Sequence, residues 1–113
     1  MHEMSLAESV LRIVEDEARA QQLRRVHSVT LEIGRLAAVE PEAMRFAFAA
    51  VMRDTLAEGA RLEMIEVPGQ GLCVDCGATV EMDEPLALCP QCGSGRVHVT
   101  GGDRMRVVEL EAE

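Results

Sequence analysis

Cys73-Val74-Asp75-Cys76-Gly77 and Cys89-Pro90-Gln91-Cys92-Gly93 decide how this chain is read. Each is a C-x-x-C pair closed by glycine, and twelve residues separate the two pairs. Two residues between thiols let both sulfurs approach one ion from a tight turn. Glycine after the second Cys admits the positive φ that turns backbone N–H groups toward sulfur. Two such knuckles complete a tetrahedral four-sulfur shell, which suits zinc and leaves no open position for catalysis. A thioredoxin-like redox pair accounts for one C-x-x-C within a βαβ context, not for two flanked by Gly. The spacing therefore assigns a structural Zn(II) to Cys73, Cys76, Cys89 and Cys92.

The surrounding segment supports that assignment. Residues 69–103 hold all four Cys and seven of the nine Gly but little apolar material. A piece this short with so little core does not fold without a staple. Arg96 is its only basic residue other than His98, against Asp75, Glu81, Asp83, Glu84 and Asp103. Met105 to Leu110 then regains strand character. The expected organisation is a zinc-ribbon lobe, 69–103, inserted into a lobe made of 1–68 and 104–113.

The first lobe reads as αβαβ. Ser5 to about Leu23 forms a helix, opened by a capping-box pattern at Ser5 and Glu8, with Leu6, Val10, Ile13/Val14 and Ala18 at helical spacing. Val26 to Ile33 alternates as a half-buried strand, with His27, Val29, Leu31 and Ile33 on one face and Ser28, Thr30 and Glu32 on the other. A second helix starts at Glu40-Pro41, carries Met44, Phe48, Val51, Met52 and Thr55/Leu56 as its stripe, and stops at Gly59. Leu62 to Val67 is a second strand, and the strand–helix–strand order implies a parallel pair. The fold class is α+β: two helices on a three-stranded mixed sheet, with the zinc ribbon inserted before the last strand.

Composition removes several function classes. The 113 residues carry a formal charge of −9, all 11 basic residues are Arg, and the only aromatics are two Phe. An acidic chain without stacking platforms is unsuited to nucleic acid, and a four-thiolate zinc site adds further negative charge. The same sign argues against anionic membranes, and no apolar run is long enough to insert. No signal peptide is visible at Met1-His2-Glu3, so the expected location is cytoplasmic, where thiols stay reduced. No nucleophile–base pair, phosphate loop or carboxylate pair marks an enzyme.

One more site is legible at the chain start. The Met1 amine, the His2 imidazole and the amide nitrogen between them can surround one ion. Nitrogen-rich, nearly planar donor sets favour nickel(II) or copper(II) over zinc. Glu3 supplies a further oxygen or a hydrogen-bond acceptor beside that site. The same residues also fit a frayed terminus with an incidental imidazole. His27, on the face of Val29 and Leu31, reads as a satisfied structural residue. His98 lies in Arg96-Val97-His98-Val99-Thr100 and reads as a solvated surface residue, with donation to a second metal as the alternative.

Taken together, these residues resemble the HypA/HybF family. The resemblance is carried by Met1-His2-Glu3-Met4-Ser5-Leu6-Ala7, Ile33-Gly34-Arg35-Leu36, Val39-Glu40-Pro41-Glu42-Ala43-Met44-Arg45-Phe46, the paired C-x-x-C motifs and Gly101-Gly102. It implies a nickel metallochaperone, not an enzyme, that binds transferable Ni(II) and delivers it during maturation of nickel–iron hydrogenase, with urease as a further recipient in some members. It implies His2 as nickel ligand and Glu3 as a neighbour that influences it. The partners implied are a HypB-type GTPase and the nickel–iron hydrogenase large subunit. A zinc-ribbon adaptor or regulatory module without nickel transfer is the alternative, and nickel titration separates the two.

Overall fold

The structure is a computed structural model that describes residues 2–113. Its elements are α1 (Glu3–Gln21), β1 (Val26–Gly34), a short 3-10 turn (Arg35–Ala37), α2 (Pro41–Val51), β2 (Arg61–Val67), β3 (Gly69–Cys73), β4 (Thr79–Met82), β5 (Val97–Gly101) and β6 (Met105–Ala112). They form two three-stranded sheets, ordered β2-β1-β6 and β4-β3-β5. The first is mixed. The α+β architecture expected from the sequence is the one found, with β6 returning beside β1.

The chain divides into two compact units. The first contains Met1–Leu31, Val39–Ile65 and Arg106–Glu113, and the second contains Glu32–Ala38 and Glu66–Met105. The boundaries at 31/32 and 65/66 fall inside β1 and β2, and that at 105/106 inside β6.

In the first unit, α1 buries Ala7, Val10, Val14 and Ala18, and α2 buries Met44, Ala47 and Phe48. Helical spacing puts each set on one face. Val26, Val29 and Leu31 of β1, together with Met52, Ala57 and Leu62, complete this core. β6 runs antiparallel to β1 here: Arg25 and Glu113 exchange backbone hydrogen bonds of 3.2 and 2.9 Å.

Several local expectations are corrected. α1 begins at Glu3, with His2 as its N-cap and no side-chain cap, so the Ser5–Glu8 capping box does not form. Ser5 is inside the helix, its carbonyl accepting from the Ser9 hydroxyl at 3.1 Å. The helix starts early because the Leu6 N–H donates to the His2 carbonyl at 2.9 Å. α2 ends at Val51 rather than near Gly59. Successive turns follow, held by Thr55, whose hydroxyl donates to the Met52 carbonyl at 2.7 Å and accepts from the Ala57 N–H at 3.1 Å. Ser28 and Thr30 are buried alongside Val29 and Leu31, so β1 is covered on both faces rather than half-buried. The Ser28 hydroxyl donates to the Glu111 carboxylate at 2.9 Å, satisfying the buried oxygen.

The second unit has a small core of Leu36, Cys73, Val80, Met82 and Cys89, with Ala78, Ala87 and Val97 packed against it. Its sheet is antiparallel throughout: β3 pairs with β4 from Gly69↔Met82 to Leu72↔Thr79, and with β5 from Gln70↔Gly101 to Cys73↔Val97. The 32–38 segment is tied in through backbone. The Gly34 N–H donates to the Arg104 carbonyl and the Leu36 N–H to the Gly102 carbonyl, both at 2.8 Å. A Cβ on Gly34 would lie 2.1 Å from the Gly102 carbonyl oxygen, so this crossing requires glycine. Arg35 adds ion pairs to Glu66 at 3.0 Å and to Asp83.

Candidate metal centre

The two C-x-x-C pairs fold into the same turn twice. In the first, the Cys73 N–H donates to the Ala78 carbonyl at 2.9 Å and the Gly77 N–H to the Cys73 carbonyl at 2.8 Å. In the second, the Cys89 N–H donates to the Ser94 carbonyl and the Gly93 N–H to the Cys89 carbonyl, both at 2.8 Å. Gly77 and Gly93 have φ of +76° and +78°, a conformation that penalises any residue with a Cβ. β3 delivers the first knuckle, and its Val74 N–H bonds the Arg96 carbonyl at 3.0 Å just before β5.

These turns bring all four sulfurs within 4.8 Å of one another. The Cys73–Cys92 and Cys76–Cys89 Sγ separations are 3.6 and 3.8 Å. Disulfide sulfurs sit about 2.05 Å apart, so these are free thiols. Zinc–sulfur bonds of about 2.3 Å put tetrahedral ligands about 3.8 Å apart, and the cluster fits that edge length. Cys73 and Cys89 are buried, while Cys76 and Cys92 are exposed. The Gln91 N–H points at the Cys89 sulfur, 3.4 Å away.

Electrostatics separate the sulfurs without a metal. The Cys76 N–H bonds the Cys73 sulfur, and the Asp75 N–H and the Cys92 and Cys76 thiols add to this against desolvation, lowering the Cys73 thiol to about 7. For Cys92 the Ser94 N–H favours the thiolate, but Cys73, desolvation and the remaining sulfurs together push its thiol up to about 12. One thiolate forms readily and its charge opposes the next. A divalent cation removes that conflict by attracting all four.

A bracket that the motif alone did not reveal spans the knuckles. Asp75, between the first two Cys, accepts from the Ser94 hydroxyl and from Arg96 Nη1, the latter at 3.1 Å. The Ser94 oxygen in turn accepts from the Arg96 N–H at 3.0 Å. The signal in the sequence was the single Arg in an acidic segment.

The chain start is a separate place. His2 is half-exposed at the N-cap of α1, its Nδ1 3.8 Å from the Glu3 carboxylate. Glu3 is buried, and its Oε2 accepts the Glu40 N–H at 3.0 Å. That bond, then one from its own N–H, and weaker attraction from His2 and the chain terminus outweigh desolvation and hold the Glu3 carboxyl below the usual range. Glu40 itself caps α2, its carboxylate accepting from the Glu42 N–H at 3.2 Å and the Ala43 N–H at 2.6 Å. Glu40 drew no attention as a polar link in the sequence. Met1 lies outside the described residues. Neither other His joins a metal cluster among the described residues. His27 is exposed, with Nε2 3.7 Å from the Glu113 carboxylate, and His98 is exposed on β5 opposite Leu72.

Comparison with known proteins agrees with this layout. A family model described as hydrogenase/urease nickel incorporation, metallochaperone, hypA matches residues 1–112. Proteins named hydrogenase maturation factor HypA from Azotobacter chroococcum mcd 1 and Dechloromonas aromatica (strain RCB) are 55% and 57% identical over 113 residues, covering 100% of both chains in each case. The solution structure of the Ni metallochaperone HypA from Helicobacter pylori superposes with a TM-score of 0.75 at 26% identity, over 99% of this chain and 97% of that one. On the family model over residues 1–112 and relatives more than half identical over the full length, the chain belongs to the HypA family of hydrogenase/urease nickel-incorporation metallochaperones, metal carriers rather than enzymes.

Proposed function

We propose that the chain carries its nickel cargo at its first residues and uses the sulfur cluster as a structural zinc site. Cys73, Cys76, Cys89 and Cys92 hold the zinc, a closed shell with no position for exchange. The His2 imidazole and the Met1 amine, with the amide nitrogen between them, bind nickel. Glu3 acts from beside the site, because one of its oxygens is already engaged by the Glu40 N–H. The work divides along the chain: 69–103 forms the zinc lobe, and 1–68 with 104–113 the nickel lobe.

The observation that carries this reading is the setting of His2. An exposed imidazole stands at the start of a helix, 3.8 Å from a buried carboxylate. The carboxylate stays ionised and adds negative charge where a cation arrives. A carrier must also release, and the exposed His2 imidazole permits that where a four-thiolate cage does not. Protonation of the imidazole is one release route and contact with a partner another.

The HypA family membership and the names of its relatives support work within the hydrogenase maturation machinery. We assign the partners as a HypB-type GTPase and the large subunit of nickel–iron hydrogenase. The cytoplasm is the matching compartment, because four free thiols clustered for a metal persist where thiols stay reduced.

Nickel titration of protein with a native first residue tests this. His2→Ala abolishes nickel binding and leaves zinc content unchanged. One residue added before Met1 also damages nickel binding, because the amine is no longer at the site. Parental nickel affinity in His2→Ala refutes the terminal site, and normal binding by the extended chain removes the amine from the ligand set.

A further inference from the structure

β6 is an edge strand of the sheet β2-β1-β6, with no strand beyond it among the described residues. A free edge presents unpaired backbone N–H and C=O groups. Beside it, α1 and β6 frame a groove of about 360 Å³. Ile13, Leu23, Val108 and Leu110 give it an apolar floor, and Ile13 and Val108 are 47% and 39% exposed. Its charged lining is Glu17 and Glu109, with no basic residue.

We propose that this groove receives an extended segment of a partner protein, added to β6 as a fourth strand, apolar at alternate positions and basic between them. Strand addition takes its affinity from backbone hydrogen bonds and its selectivity from pockets for alternate side chains. The open edge supplies the first and the apolar floor the second. Charge decides the class of occupant. A basic segment meets Glu17 and Glu109 and is drawn toward a chain of net charge −9. A second copy of this chain is a poorer match in the two registers that centre the pair on the acidic end of β6. Antiparallel two-fold pairing of β6 centred on Glu109 or Leu110 sets Glu109 against the other copy's Glu109 or Glu111, and like charges directly opposite destabilise a pair. This surface is independent of the nickel reading, and its test does not use nickel.

The test titrates the zinc-loaded full chain with a capped synthetic peptide of alternating valine and arginine, and with its valine–glutamate counterpart. Backbone amide shifts and hydrogen exchange are followed by NMR. The arginine peptide shifts amides of β6 and the groove side of α1 and slows exchange along β6; the glutamate peptide does neither. The double variant Glu17→Lys, Glu109→Lys binds the arginine peptide about tenfold more weakly. Ile13→Ser, which keeps the charges, also weakens it. Zinc content and helical circular dichroism stay at parental levels in both variants, whose altered side chains are exposed. Unchanged affinity in both variants overturns the proposal. So do shifts scattered over the acidic surface without slowed β6 exchange. A peptide-free protein that sediments as a dimer with β6 already protected also overturns it, by giving the edge to a second copy.

Discussion

Gly34→Ala tests a close backbone crossing in the second unit. Gly34 has φ −66° and ψ 139°, an extended conformation open to any residue, so the restriction is steric alone. An added Cβ would lie 2.1 Å from the Gly102 carbonyl oxygen, 2.2 Å from its carbonyl carbon and 2.7 Å from the Asp103 nitrogen. All three are backbone atoms, which cannot rotate away. Ordinary contact requires the two segments to part by more than 1 Å on the order of van der Waals separations of about 3.5 Å. Such overpacking costs roughly 1–3 kcal/mol. The movement also breaks the Gly34–Arg104 and Leu36–Gly102 hydrogen bonds, both 2.8 Å, at about 0.5–1.5 kcal/mol each. The sum is a loss of about 2–6 kcal/mol, read by urea unfolding of zinc-loaded protein. Gly95→Ala is the control. Its Cβ would meet only a Leu88 methyl at 3.6 Å, so it leaves stability unchanged or raises it by up to about 1 kcal/mol. If Gly34→Ala unfolds within about 0.5 kcal/mol of the parent, the steric argument is wrong.

Cys89→Ser lowers zinc occupancy and loosens the second unit while the helical signal of α1 and α2 persists; its three buried side chains outside the Cys, Leu36, Val80 and Met82, contribute about 5–9 kcal/mol, less than the ~10–16 kcal/mol of a structural zinc. Full zinc content in Cys89→Ser, measured by elemental analysis, contradicts the four-sulfur assignment. Glu3→Gln tests the carboxylate link to Glu40. The folded pKa of Glu3 lies below its ordinary 4.5, so its contribution to stability is fully present above pH 4.5 and is lost as pH falls through the lowered value. The stability gap between parent and Glu3→Gln therefore narrows on acidification, and a gap that widens in urea titrations at low pH rules out this origin.

The parts of the fold that were legible in the sequence are those written in side-chain periodicity. Val10, Val14 and Ala18 recur at helical spacing, and Pro41 marks the start of α2. The knuckles were legible because metal ligation fixes both residue type and spacing. The strands around them were not. β3 reads Gly69-Gln70-Gly71-Leu72-Cys73, a poor strand former held by its two neighbours rather than by propensity. The attachment of 32–38 to the second unit was equally hidden, because its hydrogen bonds to Arg104 and Gly102 run through backbone, which any residue supplies. The Ser5 pattern failed because the helix has already begun before it: the Leu6 N–H donates to the His2 carbonyl, and Glu3 in the first turn accepts the Glu40 N–H, a tertiary bond that local sequence does not show.

The alternation of buried and exposed sulfurs gives the zinc cage an inner and an outer wall. The first Cys of each pair, Cys73 and Cys89, is sealed in the second core, and the second of each, Cys76 and Cys92, faces solvent. Oxidants and alkylating reagents therefore meet Cys76 and Cys92 first. Damage opens the cage from the solvent side, and the second unit, whose own core is small, loosens as the zinc leaves. Reduction of the outer pair lets zinc bind again and order the unit around it, so a brief oxidative episode takes both metal and order from the second unit until zinc returns.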